Sequence, residues 1–137
     1  MSLFSIFDVA GSALNAQTVR LNTTASNMAN ANSVSSSTDN LYRARHPVFA
    51  PMVKAFDSND KAQGVSVLGI VESQAPARQE YSPNNPLANA QGYIFMPNVN
   101  VIDEMADMIS ASRSYQANVE IMNSAKQMMM RTLALGQ

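Results

Sequence analysis

Cysteine is absent from the 137 residues, which removes disulfide frameworks, thiolate zinc sites and cysteine nucleophiles together. The same absence leaves the redox compartment open. Charge is scarce: Asp, Glu, Lys and Arg make up 14% of the chain, against about 25% in an average soluble domain. With a net charge of -1 there is no basic footprint for nucleic acid. Trp is missing as well. The first residues, MSLFSIFD, lack the basic segment and continuous apolar core of a secretory signal. No run approaches the roughly 20 apolar residues that span a bilayer. The expectation is a chain soluble when made, with any export using a route that cleaves no such signal.

What is present is uncharged polarity: 14 Asn and 16 Ser beside 19 Ala and 10 Met. Such a surface hydrogen-bonds without repelling its own copies. The length suits one compact body, alone or with extensions, and is too short for two catalytic lobes.

Residues 2–30 hold no Pro, one Gly and only Asp8 and Arg20 as charges, so the segment reads as one long helix. Written in sevens, it places Phe7, Leu14, Leu21 and Met28 in one column and Leu3, Ala10, Gln17 and Thr24 in another. Six of these eight places are apolar, which is the seam of a helix pair. At 1.5 Å per residue the rod is roughly 40 Å long. Residues 31–40, ANSVSSSTDN, carry no apolar period. Their small polar side chains compete for backbone hydrogen bonds, so the segment reads as a flexible joint.

Residues 41–97 contain all six prolines and read as a small β-rich middle domain. Val65, Val67 and Val71 interleaved with Ser66, Leu68 and Ile70 suggest a strand apolar on both sides, with Gly69 marking a bulge. Tyr42 to Phe49 reads as an edge strand interrupted at Pro47. Asp57 to Gly64 reads as a loop. Tyr81 to Pro86 is expected to be largely extended, because proline disfavours helix before it.

Residues 98–137 open a second helix. Asn100 is placed to cap it, Asp103, Glu104 and Asp107 lie in its first turns, and Lys126 and Arg131 lie toward its end, all in the sense of the macrodipole. Its seam is Val101, Met105, Met108, Ser112, Tyr115, Val119, Met122, Lys126, Met129 and Leu133, apolar at eight of ten positions. Ile102, Ile109 and Met130 widen the stripe. The fold class expected is mainly α with a small β-rich middle, the long terminal helices pairing as a coiled coil.

No catalytic constellation can be assembled. His46, the single histidine, reads as an ordinary strand residue. Gly64 to Leu68 begins like a nucleophile elbow, but Leu68 stands where the second glycine belongs. Asp57 and Asn59 begin like a calcium loop, but Lys61 and Ala62 replace a ligand and the turn glycine, and Leu68 the closing carboxylate. Asp103, Glu104 and Asp107 are explained by helix-start electrostatics without a substrate.

The terminal stripes are the main signal. Their plain reading is an internal helical hairpin. Two features favour burial between chains: the seams run the length of both terminal segments, and the backs of the helices carry Ser, Thr, Asn, Ala and Gln instead of the charge that helices facing water display. Six Met between Met105 and Met130 suit non-identical holes in non-identical neighbours. Stripes without their partners are expected to be poorly protected in the free chain. A membrane-surface helix would carry flanking Lys, Arg and Trp, which residues 2–30 do not offer.

Several strings resemble a known family. Residues 7–17 (FDVAGSALNAQ), 20–22 (RLN) and 25–32 (ASNMANAN) resemble the N-terminal signature of bacterial flagellar rod and hook axial proteins. Residues 42–45 (YRAR), 92–93 (GY), 97–100 (PNVN), 104–105 (EM), 111–120 (ASRSYQANVE) and 133–137 (LALGQ) are similar to its C-type proximal rod branch. Residues 81–86 (YSPNNP) depart from a pattern in which an acidic residue often precedes the first proline. The resemblance implies a non-enzymatic building block of the proximal rod, with helices near the rod axis and the β-rich middle outside.

It further implies export through the flagellar type III apparatus, with the signal placed in Ser2 to Ala10. The implied neighbours are copies of itself and the proximal rod proteins FlgB, FlgF and FliE, with FlgG beyond. No cofactor, metal, nucleic acid, membrane insertion or small-molecule substrate is expected. The assembly surface is expected to comprise Leu3, Phe7, Leu14, Leu21 and Met28 with Val101, Met105, Met108, Tyr115, Val119, Met122, Met129 and Leu133. A B- or F-type rod protein, or a type III secreted binding module using the middle domain, is the alternative.

Overall fold

The computed structural model describes residues 3–52 and 64–135. Two long helices, α1 (Leu3–Asn30) and α2 (Val101–Leu135), flank four strands: β1 (Arg45–Pro51), β2 (Val65–Glu72), β3 (Arg78–Tyr81) and β4 (Tyr93–Met96). The protein is therefore mainly helical with a small β middle, as the sequence predicts.

The helix limits have local causes. α1 stops where Ala31 and Ser33 turn their amides back to the carbonyls of Met28 and Asn30, at the start of the polar run. α2 starts on Asn100, whose side-chain oxygen accepts the Ile102 amide at 3.1 Å and whose amide nitrogen donates to Asp103 at 2.8 Å. The Asn100 carbonyl accepts the Glu104 amide, so the residue is a true N-cap.

The helices pack antiparallel. Asn27 meets Glu104, Arg20 meets Asp107, and residues 6–10 stand against Asn118 and Ile121. Small side chains line the buried centre: Ala10, Ala16, Thr23, Thr24, Ala111 and Ala125 are all buried. On α2 the buried line is Glu104, Ala111, Asn118 and Ala125, the first, second and fourth fully and Asn118 half-buried. Met108, Met122 and Met129 beside it are half-buried, and Tyr115 in the same column is exposed. The companion column of the sequence-derived seam is corrected: Met105, Lys126 and Leu133 are exposed, and Ser112 and Val119 half-buried. The cause is that α2 turns its small residues toward α1 and its bulky ones away.

β1 and β2 form an antiparallel two-stranded ribbon, with a register break opposite Val48 and Phe49 that leaves Leu68 unpaired next to Gly69. The bulge foreseen at Gly69 is thus present. β1 spans Arg45–Pro51 and not Tyr42 to Phe49; a ribbon of two strands has free edges, so Pro47 is tolerated inside it. The ribbon lies along α1. Ser12 Oγ accepts the Val65 amide at 3.1 Å, and the adjoining Gly64, at φ 144°, brings its backbone against Ser12 where a Cβ would collide.

β3 and β4 form a second antiparallel pair. Ser35, inside the segment expected to be a joint, exchanges both backbone hydrogen bonds with Phe95 of β4. Tyr81 closes β3, but the stretch from Ser82 to Pro86 is not extended. Asn85 donates to the Ser82 carbonyl and Ala88 to that of Asn85, so Pro83 and Pro86 each occupy the second position of a tight turn, where a φ near -65° is favourable. The loop expected at Asp57 to Gly64 falls, except for Gly64, outside the described residues.

Candidate assembly interface

Three segments converge on Asn27, which is 1% exposed. Its amide nitrogen donates to the Arg45 carbonyl and to Glu104 Oε1, both at 2.8 Å. Its oxygen accepts the Tyr42 hydroxyl at 2.8 Å and the Arg45 amide at 2.9 Å. Both donors and both lone pairs of the carboxamide are therefore used. α1, the strand entry at 42–45 and α2 are locked at one point. Asn98 makes a lesser clasp, accepting the Ala44 amide and donating to the Ala75 carbonyl, both at 2.9 Å.

The residues expected on the assembly surface divide in two. Phe7, Leu14, Leu21 and Met28 on α1, and Val101, Met108, Val119, Met122 and Met129 on α2, are half-buried. Met105, Tyr115 and Leu133 are exposed at 49%, 37% and 66%. The side chain of Leu3 lies outside the described residues. Ile102, Ile109, Ile121, Met128 and Met130 are also exposed, so α2 presents bulky apolar side chains to solvent along its length. Asn27, Arg20 and Glu104 were not marked by periodicity, because a polar residue inside a heptad reads as an interruption. Their signal lies in the strings at 20–22, 25–32 and 104–105 that carry the resemblance, and for Glu104 also in its place at the helix start.

Among the described residues the fragments of chemistry do not assemble into a site. His46 is exposed in β1, and Ser66 sits within β2 with its hydroxyl on the Ala50 carbonyl, far from the strand-to-helix turn an elbow requires. Asp57, Asn59, Lys61 and Ala62 lie outside the described residues. Among the described residues no three His, Asp or Glu side chains gather as a metal site, and no helix is long and apolar enough to cross a membrane.

Known proteins account for both ends of this arrangement. Residues 7–35 match the family described as flagella basal body rod protein, and residues 90–135 match the flagellar basal body rod FlgEFG protein C-terminal family. The flagellar basal-body rod protein FlgC of Escherichia coli O6:H1 is 54% identical over 137 residues, covering all of both chains. That of Salmonella typhimurium is 53% identical over the same span. That of Borreliella burgdorferi is 36% identical over 151 residues, covering 100% of this chain and 99% of its own. Similarity that runs the whole length of the helix pair, the Asn27 lock and the ribbon shows that the chain belongs to the FlgC family of flagellar basal-body rod proteins.

Proposed function

We propose that the chain is a non-enzymatic structural subunit of the proximal rod, polymerising through its terminal helices into the shaft that transmits torque and encloses the export channel. Its neighbours are copies of itself and the other proximal rod proteins. It reaches the rod from the cytoplasm through the flagellar type III apparatus, without signal cleavage, and works within the periplasm. The observation that carries this reading is the row of exposed apolar side chains on α2, among them Ile102, Met105, Ile109, Met130 and Leu133. A face of this kind marks an interaction surface, and several seams locked together resist twist, each buried Leu or Met contributing about 1.5 to 3 kcal/mol before entropy.

The test is complementation of a non-motile bacterium lacking its own FlgC. Ile109 is 55% exposed, so Ile109→Asp leaves the subunit folded and exported while placing an unpaired charge in any assembled seam, at a cost of several kcal/mol. Such cells are expected to secrete the chain yet lack rods. His46→Ala and Ser66→Ala cells are expected to swim normally. Motility of the Ile109→Asp strain at equal secreted protein, with loss of motility in either alanine strain, would remove the basis of the reading.

A further inference from the structure

We propose that a cavity between the two helices receives the projecting end of α2 from a second copy of this chain, displaced along the helix axis. This rests on the rod reading above and specifies one contact within it. Ile6, Val9, Ala10, Asn118 and Ile121 line an open hollow of about 190 Å³, with both helices contributing. Val9 and Ile121 are 37% and 48% exposed at its rim. The arrangement is a hole of the kind a neighbouring helix fills with a knob.

The knob is on the same chain at a different place. Since residues 6–10 meet Asn118 and Ile121, α1 begins near the level of residue 124, and the rest of α2 projects about 15 Å beyond it. On that arm Met130 and Leu133, three residues apart and so on one face, are 62% and 66% exposed. Lys126 and Arg131 flank them. The ion pairs among the described residues are Arg20 with Asp107 and Arg45 with Glu72. Arg131 on the arm, and Asp8 and Glu120 beside the hole, are thus exposed charges of opposite sign with no ionic partner among the described residues.

These charges select the occupant and its register. Sliding a parallel copy by twelve residues, about 18 Å, brings Met130 and Leu133 to the levels of Asn118 and Ile121 and Arg131 alongside Glu120. Knob and hole lie on different surfaces of one chain, so the contact is heterologous and repeats without closing. Open growth in one direction follows from that geometry.

The absence of cysteine from the sequence makes the contact directly testable. Val9→Cys and Met130→Cys supply the only thiols. Within one copy they are about 18 Å apart along the axis, whereas a disulfide needs Cα atoms within about 7 Å. Basal bodies isolated from cells making the full-length double variant are oxidised and separated without reductant. A ladder of linked copies is expected from the double variant, and dimers from the two single variants expressed together. Arg131→Glu is expected to lower the linkage at least tenfold, and Glu120→Arg added to it to restore most of it. Motile cells with normal rods but no linkage overturn this docking and leave the rod function standing. Failure of the chain to enter basal bodies overturns the rod reading itself, and with it this contact.

Discussion

Asn27 is the residue on which the subunit's internal geometry depends. Its four hydrogen bonds satisfy the Tyr42 hydroxyl, both backbone groups of Arg45 and one oxygen of Glu104. Removing the carboxamide leaves the Glu104 oxygen and the two backbone groups of Arg45 without that partner, while the Tyr42 hydroxyl keeps Ser26 Oγ at 3.2 Å, and each buried group left unsatisfied costs about 1 to 3 kcal/mol. Asn27→Ala is expected to lower unfolding free energy by about 3 kcal/mol, measured by urea denaturation of the purified subunit. Asn27→Asp is expected to cost at least as much, since a carboxylate accepts but does not donate, and it would face Glu104 and the Arg45 carbonyl together. Glu104→Gln in that background is expected to recover part of the loss, because the glutamine amide donates where Asn27 did. Recovery of nothing would show that the Asn27 to Glu104 bond is dispensable.

At the scale of elements, the helix pair is organised by side-chain size. Ala111 is 0% exposed and Ala125 1%, while Ile102 and Ile109 on the same helix stand in solvent. The columns three and four residues from Met108, Met122 and Met129 are both compatible with a helical stripe, and hydrophobicity favoured the one with Met105 and Leu133. Packing chose the other, because the α1 face it meets includes Ala10 and Asn27, and its own members include Ala111 and Ala125. Ala111→Leu is expected to destabilise the isolated subunit by about 1 to 3 kcal/mol through overpacking. Ile102→Ala is expected to change it by less than about 0.5 kcal/mol. Denaturation midpoints of the two variants check this, and a neutral Ala111→Leu would mean that the helices do not meet there.

At the scale of the whole molecule, α1 is the central element. It carries α2 on one side and the β1–β2 ribbon along its length, whereas the β3–β4 pair is held through Ser35 and Asn98. The end of α2 passes beyond α1, and an unpaired helical stretch does not offset backbone ordering of about 1 to 2 kcal/mol per residue. α1 and α2 cover each other along most of α1, so in hydrogen-exchange measurements the free subunit is expected to protect residues 10–27 well, in place of the poor protection that the sequence suggests for both stripes, and residues 126–135 poorly. Incorporation into rods is expected to raise protection of 126–135 at least a hundredfold. Strong protection of that arm in dilute monomer would show that the chain covers it unaided.

The sequence by itself determined the two helices, the cap at Asn100 and the bulge at Gly69. Each depends on neighbours within a few residues, or on residue types that are present or missing. It also carried the family in strings such as ASNMANAN at 25–32, without revealing that Asn27 there is a lock. Tertiary structure alone decided which column of α2 meets α1, because the choice depends on the shape of the opposing face. It alone decided that Pro83 and Pro86 serve turns, since a φ near -65° suits extended chain and turn alike and only the pairing of β3 with β4 distinguishes them. It alone brought residues 27, 42, 45 and 104 to one point, for buried polar groups must find partners wherever the fold supplies them, and sequence distance does not record where that is.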